Sequence, residues 1–457
     1  MTNSTQNLSL LRNLKIALFH LGSGLADVLM TGVWNRIMIS DLGMAATPVS
    51  FLASLRYFLA PLGIWAGGIS DRQTVGGFRR LFWVWLGRLM MVLSTFSIGW
   101  GTSQFLVPNQ DQNLSWIAII IGSILFSFGN ALSGTTFLAL IYDRATPEQR
   151  GRSVGIVWTF LLIGFTLGGI LFGILLRPKA DLDSGLSFTA DSLFQLFIIA
   201  GIMMGTLWFF SVLGEERRQS QVFEDKSQTQ QSFKLDFKLV WNEPSLRFFL
   251  IFLVLSMLFA FSQDAILEPF AGDVFDMDAS RTSRFSAYWG SASILSTILF
   301  LVLSRKNKRI TSEWMSRAGV IVLVISFALF ALSAFLHIGW IIMPNLLVLG
   351  LGLGIWNVGT LGLMMDLSPS GRAGTFLGFW TVAVTLARGF GITYGGLLRD
   401  VSLHLSGGPA LSYGFVFSFG LVGLLFSLWA LAHVNYRMFN PQITTSSEQI
   451  LAGALDS

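Results

Sequence analysis

Residues 248–276 read FFLIFLVLSMLFAFSQDAILEPFAGDVFD. From Phe248 to Phe261 the run carries no charge, and Ser256 is its only hydroxyl, which suits hydrocarbon better than a water-facing helix. Asp264 and Glu268 then follow, four positions apart. On a continuous helix, side chains at that spacing share one face. A carboxylate in hydrocarbon costs roughly 2.5–3.5 kcal/mol on insertion scales, so such residues face a partner or a cavity. The pair marks the expected interior of a membrane protein.

Composition carries the same reading to the whole chain. Hydrophobic residues make up 53% of the 457 positions and charged residues 12%, about half the charge of soluble domains. Twelve apolar segments of spanning length are expected, near 14–39, 48–69, 81–101, 115–141, 153–176, 191–213, 245–268, 281–303, 314–336, 338–365, 373–398 and 409–434. The fold class is thus an all-α membrane protein, with the lipid bilayer as its first partner. The first span carries His20, Asp27, Asn35 and Arg36, unlike the uniformly apolar core of a cleaved signal, and is expected to stay in place. There is no cysteine, which excludes disulfides, thiolate metal sites and cysteine catalysis.

The net charge of +5 does not point to nucleic acid, because the basic residues flank the spans. With the N-terminus placed inside, the inner ends and short loops hold Arg12, Lys15, Arg72, Arg79, Arg80, Arg144, Arg150, Arg152, Arg247, Arg305, Lys306, Lys308, Arg309, Arg317, Arg372 and Arg437. The outer side holds Arg36, Arg177, Lys179, Arg281, Arg284 and Arg399. Sixteen against six follows the positive-inside rule and predicts cytoplasmic termini.

The polar stretch 214–244 divides the spans six and six and reads as a cytoplasmic linker, with a short interfacial helix expected around Phe233–Trp241. The expected units are therefore residues 1–213, the linker 214–244, a second six-helix half at 245–436, and a cytoplasmic tail at 437–457. The halves echo each other. Pro147, Arg150, Trp158, Gly173, Leu176 and Arg177 match Pro369, Arg372, Trp380, Gly395, Leu398 and Arg399, each pair 222 positions apart (369 − 147 and 399 − 177). Polar residues held in one register argue for internal duplication, and two six-span repeats are the architecture of the major facilitator fold. The loop GGISDRQTVGGFRR at 67–80 resembles the gating signature of that fold. Gly67, Asp71, Arg72, Arg79 and Arg80 are its candidate members, with Asp71 expected to accept from a neighbouring helix N-terminus.

Polar groups inside the spans fall in stripes. His20, Gly24, Asp27, Thr31 and Asn35 recur at spacings of 4, 3, 4 and 4 in the first span. The fourth span offers Asn130, Ser133, Gly134 and Phe137, the seventh Ser256, Ala260, Asp264 and Glu268, and the tenth Asn357, Thr360 and Met364. The candidate cavity residues are His20, Asp27, Asn35, Arg36, Asn130, Gln263, Asp264, Glu268, Asn357 and Thr360. Arg56, Arg88 and Arg388 also lie within spans, so ion pairs are expected to join Asp27, Asp264 or Glu268 to Arg36, Arg56 or Arg388. His20 reads first as a packed hydrogen-bonding group. No HExxH, GxSxG elbow or Walker motif appears, the four histidines have no metal spacing, and the chain is read as a non-enzyme.

The wording goes beyond a fold. TGVWNRIMI at 31–39, ATPEQRGRSVG at 145–155, SQDAILEPFAGDVF at 262–275, GLGIWNVGTLGLMMDL at 352–367, GRAGTFLGFW at 371–380 and GGLLRD at 395–400 resemble the PucC, or bacteriochlorophyll delivery, family. The resemblance implies a photosynthetic bacterium, a thylakoid or cytoplasmic membrane, and chlorophyll or bacteriochlorophyll as bound cargo. It also implies light-harvesting or photosystem subunits, with chlorophyll synthesis enzymes, as partners. Carried over by position, it highlights Asn35, Arg36, Gln263, Asp264, Glu268, Pro269, Gly359, Thr360 and Gly374. Arg388 departs from the family's pattern, in which small or apolar residues are usual. Glu268 or Gln263 is the expected contact to the pigment Mg, directly or through water. Two other readings stand beside pigment delivery: a proton-coupled transporter of a small amphipathic molecule, and a pigment-free assembly scaffold.

Overall fold

The computed structural model describes residues 8–177, 188–216, 241–367 and 373–434. The short helix expected around Phe233–Trp241 falls outside them except for Trp241, as does the tail 437–457. Among the described residues, ten helical stretches are long and apolar enough to cross a membrane. They are Leu10–Asp41, Ala46–Arg72, Leu81–Gln104, Gln112–Arg144, Gln149–Leu175, Ala190–Val212, Ala279–Lys306, Ser312–Leu336, Gly339–Asp366 and Pro409–Ala432. The places of the other two expected spans are taken by a broken helix, Pro244–Ala260 with Leu267–Phe275, and by helix Ala373–Ser406. We number these twelve segments one to twelve in chain order.

The buried apolar side chains form two separate cores. One gathers residues from Leu8 to Val212 with Ala279, and the other runs from Leu246 to Val434. Each half packs its own spans tightly where small residues allow it. In the first half, a Cβ on Gly24 would stand 2.3 Å from the Leu161 carbonyl oxygen, so spans one and five touch backbone to backbone there.

Several spans are not regular α-helices. Span one changes to π-helix at Leu29–Trp34 and again at Ile37–Asp41, a form concentrated at functional sites. Span two, read from sequence as one segment, ends a helix at Phe58 and restarts at Leu62 after Pro61.

Span seven departs most from expectation. Its first helix ends at Ala260, residues 261–266 form turns, and a second helix begins at Leu267. Asp264 and Glu268 therefore do not stand on one continuous helix. The cause is Pro269. It has no N–H to donate to the carbonyl of Ala265 four residues back, and its ring clashes with that carbonyl in a regular helix. The Ala265 carbonyl instead accepts from Asn35 Nδ2 at 2.8 Å.

The halves meet from the side opposite the chain termini down to mid-membrane. On that far side Asp400 of span eleven accepts hydrogen bonds from Ala46 and Thr47 at the start of span two. Arg36 donates to the Met277 carbonyl at 2.9 Å, and Ser280 to the Gly173 carbonyl at 2.5 Å. Deeper contacts are Ser54 with Thr393 at 2.8 Å and Phe165 against Trp289. Among the described residues, no hydrogen bond or ion pair joins the halves closer to the termini side than this. The far side is therefore the side on which the two halves are bonded to each other.

Candidate functional site: a charge-paired cavity between the halves

Where the π-helical part of span one faces the break in span seven, a cavity remains. Asp27, Val28, Thr31, Phe165, Gln263, Asp264, Glu268, Ser286, Trp289 and Arg388 line it. It leaves about 20 Å³ for the centres of water molecules, room for one water or a small ion.

Its charges are arranged in pairs. Arg56 binds Asp27 within the first half. In the second, Arg388 Nη2 lies 2.8 Å from Asp264 Oδ2, and Gln263 Nε2 donates to Asp264 Oδ1 at 3.0 Å. The two pairs flank Tyr57, whose ring centroid is 4.9 Å from each guanidinium carbon. Arg56 also donates to the Tyr57 hydroxyl at 3.1 Å, and Arg388 lies 4.1 Å over the Phe261 ring. In low dielectric such fixed, hydrogen-bonded pairs hold both helices in place.

Glu268 is different. Its side chain is 3% exposed, and Oε2 is buried with no hydrogen-bond partner. It stands in the first turn of helix Leu267–Phe275, and no basic side chain forms an ion pair with it among the described residues.

The remaining candidates are distributed as follows. Asn35 is buried against the span-seven break, with its Oδ1 unpartnered. Arg36, expected to pair with an intramembrane carboxylate deeper in the fold, binds Asp41 at 2.9 Å on the far side instead. Gly272 permits this, since a Cβ there would stand 2.4 Å from the guanidinium carbon.

His20 lies away from the cavity. It stacks on Phe137 at 5.2 Å and meets the edge of Trp158 at 5.7 Å. Asn130 is half-buried, Asn357 is exposed, and Thr360 is buried with an unpartnered hydroxyl; none of the three lines the cavity. Arg88 corrects the expectation of charge pairing. Its guanidinium sits 4.1 Å from the Phe19 ring centroid and 4.6 Å from that of Trp208, with Nη1 3.1 Å from Met91 Sδ. No carboxylate pairs with it among the described residues.

On the termini side the loop after span two forms its own latch. Asp71 pairs with Arg79 at 2.9 Å and Arg80 at 2.5 Å, and Arg80 reaches Asp143 at 3.1 Å. Arg72 is exposed, and Gly67 faces open space. The helix N-terminus that Asp71 was expected to meet is occupied by Glu216. Its carboxylate accepts from the backbone N–H of Arg79 at 2.8 Å, Arg80 at 3.0 Å and Leu81 at 2.7 Å, as suits an anion at a helix start.

Sequence reading missed Tyr57, Ser286 and Trp289. Tyr57 follows Arg56 directly, and Ser286 and Trp289 stand three apart on span eight, so an aromatic-plus-hydroxyl stripe was there to be read.

Comparison with known proteins follows this geometry. The family model described as "PUCC protein" matches residues 33–439. A Rhodobacter capsulatus protein named "Bacteriochlorophyll synthase 44.5 kDa chain" is 31% identical over 430 residues, covering 91% of this chain and 93% of that one. "Protein PucC" of Rhodovulum sulfidophilum is 27% identical, covering 87% of each. Among solved structures, a bacterial homologue of the human lysosomal transporter Spinster, inward-facing and unoccupied, superposes with a TM-score of 0.70 at 15% identity over 94% of this chain and 97% of that one. A D-xylose–proton symporter gives 0.65 at 16% identity, with coverage of 91% and 96%. These likenesses are to the fold, and the fold is the major facilitator fold.

Proposed function

Since the chain belongs to the PUCC protein family, we propose that it is a non-enzymatic membrane carrier that receives chlorophyll or bacteriochlorophyll and hands it to light-harvesting or photosystem subunits. The observation that carries this reading is the family match over 33–439. The name of the Rhodobacter capsulatus relative ties that family member to bacteriochlorophyll in words. On this reading the termini are cytoplasmic.

The geometry sets terms for the cargo. A cavity with about 20 Å³ for water centres cannot hold a tetrapyrrole. Our reading puts the macrocycle outside that cavity, towards the termini side, where the ring of Trp158 is exposed and His20 and Phe137 pack behind it. The mid-membrane cavity then lies above the pigment, and Gln263 or Glu268 reaches its Mg through water.

The test is an absorption spectrum, with chromatography of extracted pigment, of the protein purified in mild detergent from a photosynthetic host. Stoichiometric pigment that survives washing and falls in Gln263→Leu or Glu268→Leu supports the carrier. A folded, colourless protein overturns it. Uptake driven by a pH gradient in liposomes would then favour a transporter, and pigment-free copurification of antenna subunits a scaffold.

A further inference from the structure

We propose that Glu268, Ser286 and Asn35 form a site for one sodium-sized monovalent cation, seated against Gly32 where the π-helical stretch of span one faces the break in span seven. Four observations meet there. First, the carboxylate of Glu268 is 3% exposed, borders the cavity, and leaves Oε2 buried without a partner.

Second, Gly32 keeps open the space that a side chain would fill. A Cβ there would stand 3.3 Å from Ser286 Oγ and 3.5 Å from Glu268 Oε1, so hydroxyl and carboxylate look into one gap. Asn35 Oδ1, three positions along the same span, is a second buried oxygen without a partner.

Third, no basic side chain among the described residues balances Glu268 when it is ionised. Asp27 is paired with Arg56, Asp264 with Arg388, and Arg36 with Asp41. Those three pairs are neutral, so an ionised Glu268 is one uncompensated negative charge in hydrocarbon surroundings, a costly state. One positive charge neutralises it, and a divalent ion would overshoot.

Fourth, the size and donor chemistry select the ion. About 20 Å³ admits a small ion and excludes an organic cation. The donors are a carboxylate, a hydroxyl and an amide oxygen, all hard oxygens, and non-helical backbone at membrane depth is where transporters hold such ions. The site sits behind the far-side closure, because Asn35 also holds the Ala265 carbonyl across the two halves. An ion at Glu268 therefore stabilises the closed far side. This inference does not depend on the identity of the cargo, and it leaves Gln263 rather than Glu268 to reach a pigment Mg.

The experiment uses the full chain purified into choline-containing detergent buffer. Binding of radioactive sodium is measured by scintillation proximity, and thermal unfolding is followed against sodium at constant ionic strength. One sodium per chain and a saturable rise in Tm are expected. Glu268→Gln should abolish both, while Gly32→Ala and Ser286→Ala should each weaken binding by about tenfold or more. Gly134→Ala, at a glycine with nothing within 4 Å, should leave binding unchanged. If Glu268→Gln does not fold, the Gly32 and Ser286 variants decide alone. No sodium binding to the unaltered protein overturns the proposal, as does binding retained in Glu268→Gln. Stability that follows pH but not sodium, as for a proton held on Glu268, overturns it too.

Discussion

Asp400 caps the start of span two from the opposite half of the molecule. Its Oδ2 lies 2.7 Å from both the backbone N and the hydroxyl of Thr47, and its Oδ1 lies 2.9 Å from the N of Ala46. The bonds that begin one half's helix are thus supplied by the other half's helix end. Parting the halves on the far side must expose both the carboxylate and the free N–H groups, so the cap is also a clasp.

Asp400→Ala should therefore loosen the far side as well as the helix. A lost cap costs about 0.5–2 kcal/mol, and the measurement is thermal unfolding together with a cysteine reporter. The chain has no cysteine of its own, so Ser50→Cys, at a position fully buried on span two, reports opening without background. Its reaction with a membrane-impermeant maleimide should speed up in Asp400→Ala. Equal labelling rates with and without Asp400 would show that the clasp does not hold the halves together.

Close backbone approach makes a second prediction. A Cβ on Gly396 would stand 2.3 Å from Ser50 Oγ and 2.6 Å from the Ala46 carbonyl oxygen. Gly396→Ala must push spans two and eleven apart, at a cost of about 1–3 kcal/mol. Gly134→Ala meets nothing and should be neutral or stabilising in its helix. Unfolding midpoints of the two variants should differ in that direction, and a Gly396→Ala protein as stable as Gly134→Ala refutes the packing argument.

How far these features could be read from sequence differs from element to element. The spans were legible because hydrocarbon demands long apolar runs, and the carboxylates because charge within such runs stands out. That buried carboxylates would meet arginines followed from the cost of lone charge, but the choice of Arg56 for Asp27 and Arg388 for Asp264 did not. The partner of Arg36 did not, because Asp41 lies on its own span and comes within reach only through the π-helical turn after Ile37. The break before Leu267 had a visible cause in Pro269, but a helical reading of the 264–268 spacing overrode it. Asp400 and Glu216 were invisible as caps, since the helices they cap are distant in sequence. Arg88 misled for a physical reason: aromatic faces can receive a guanidinium that sequence logic assigns to a carboxylate.

The buried pair Arg388–Asp264 yields a third prediction. Removing one partner leaves the other uncompensated, and Arg388→Ala or Asp264→Ala should each cost about 3–5 kcal/mol. The double variant removes both charges and should lose far less than the sum. A double-mutant cycle on detergent-solubilised protein measures this coupling. Additive losses would mean that the 2.8 Å contact contributes little beyond its two separate environments.

Arg88 makes the opposite prediction, and the contrast tests the reading of both sites. Its guanidinium is 4% exposed and rests between Phe19 and Trp208 without a carboxylate partner among the described residues. Replacing it with methionine keeps the length and the apolar stem contacts, and no orphaned acid is left behind. The cation–π attraction is lost, about 2 kcal/mol for a desolvated site, but so is the larger cost of holding a lone charge away from water. Arg88→Met should therefore be neutral or raise the unfolding midpoint, whereas Arg388→Met should lower it sharply because Asp264 is stranded. The two variants are read side by side by thermal unfolding in one detergent. A loss at Arg88→Met as large as at Arg388→Met would mean that Arg88 serves an anion, and that the aromatic faces are not what balances its charge.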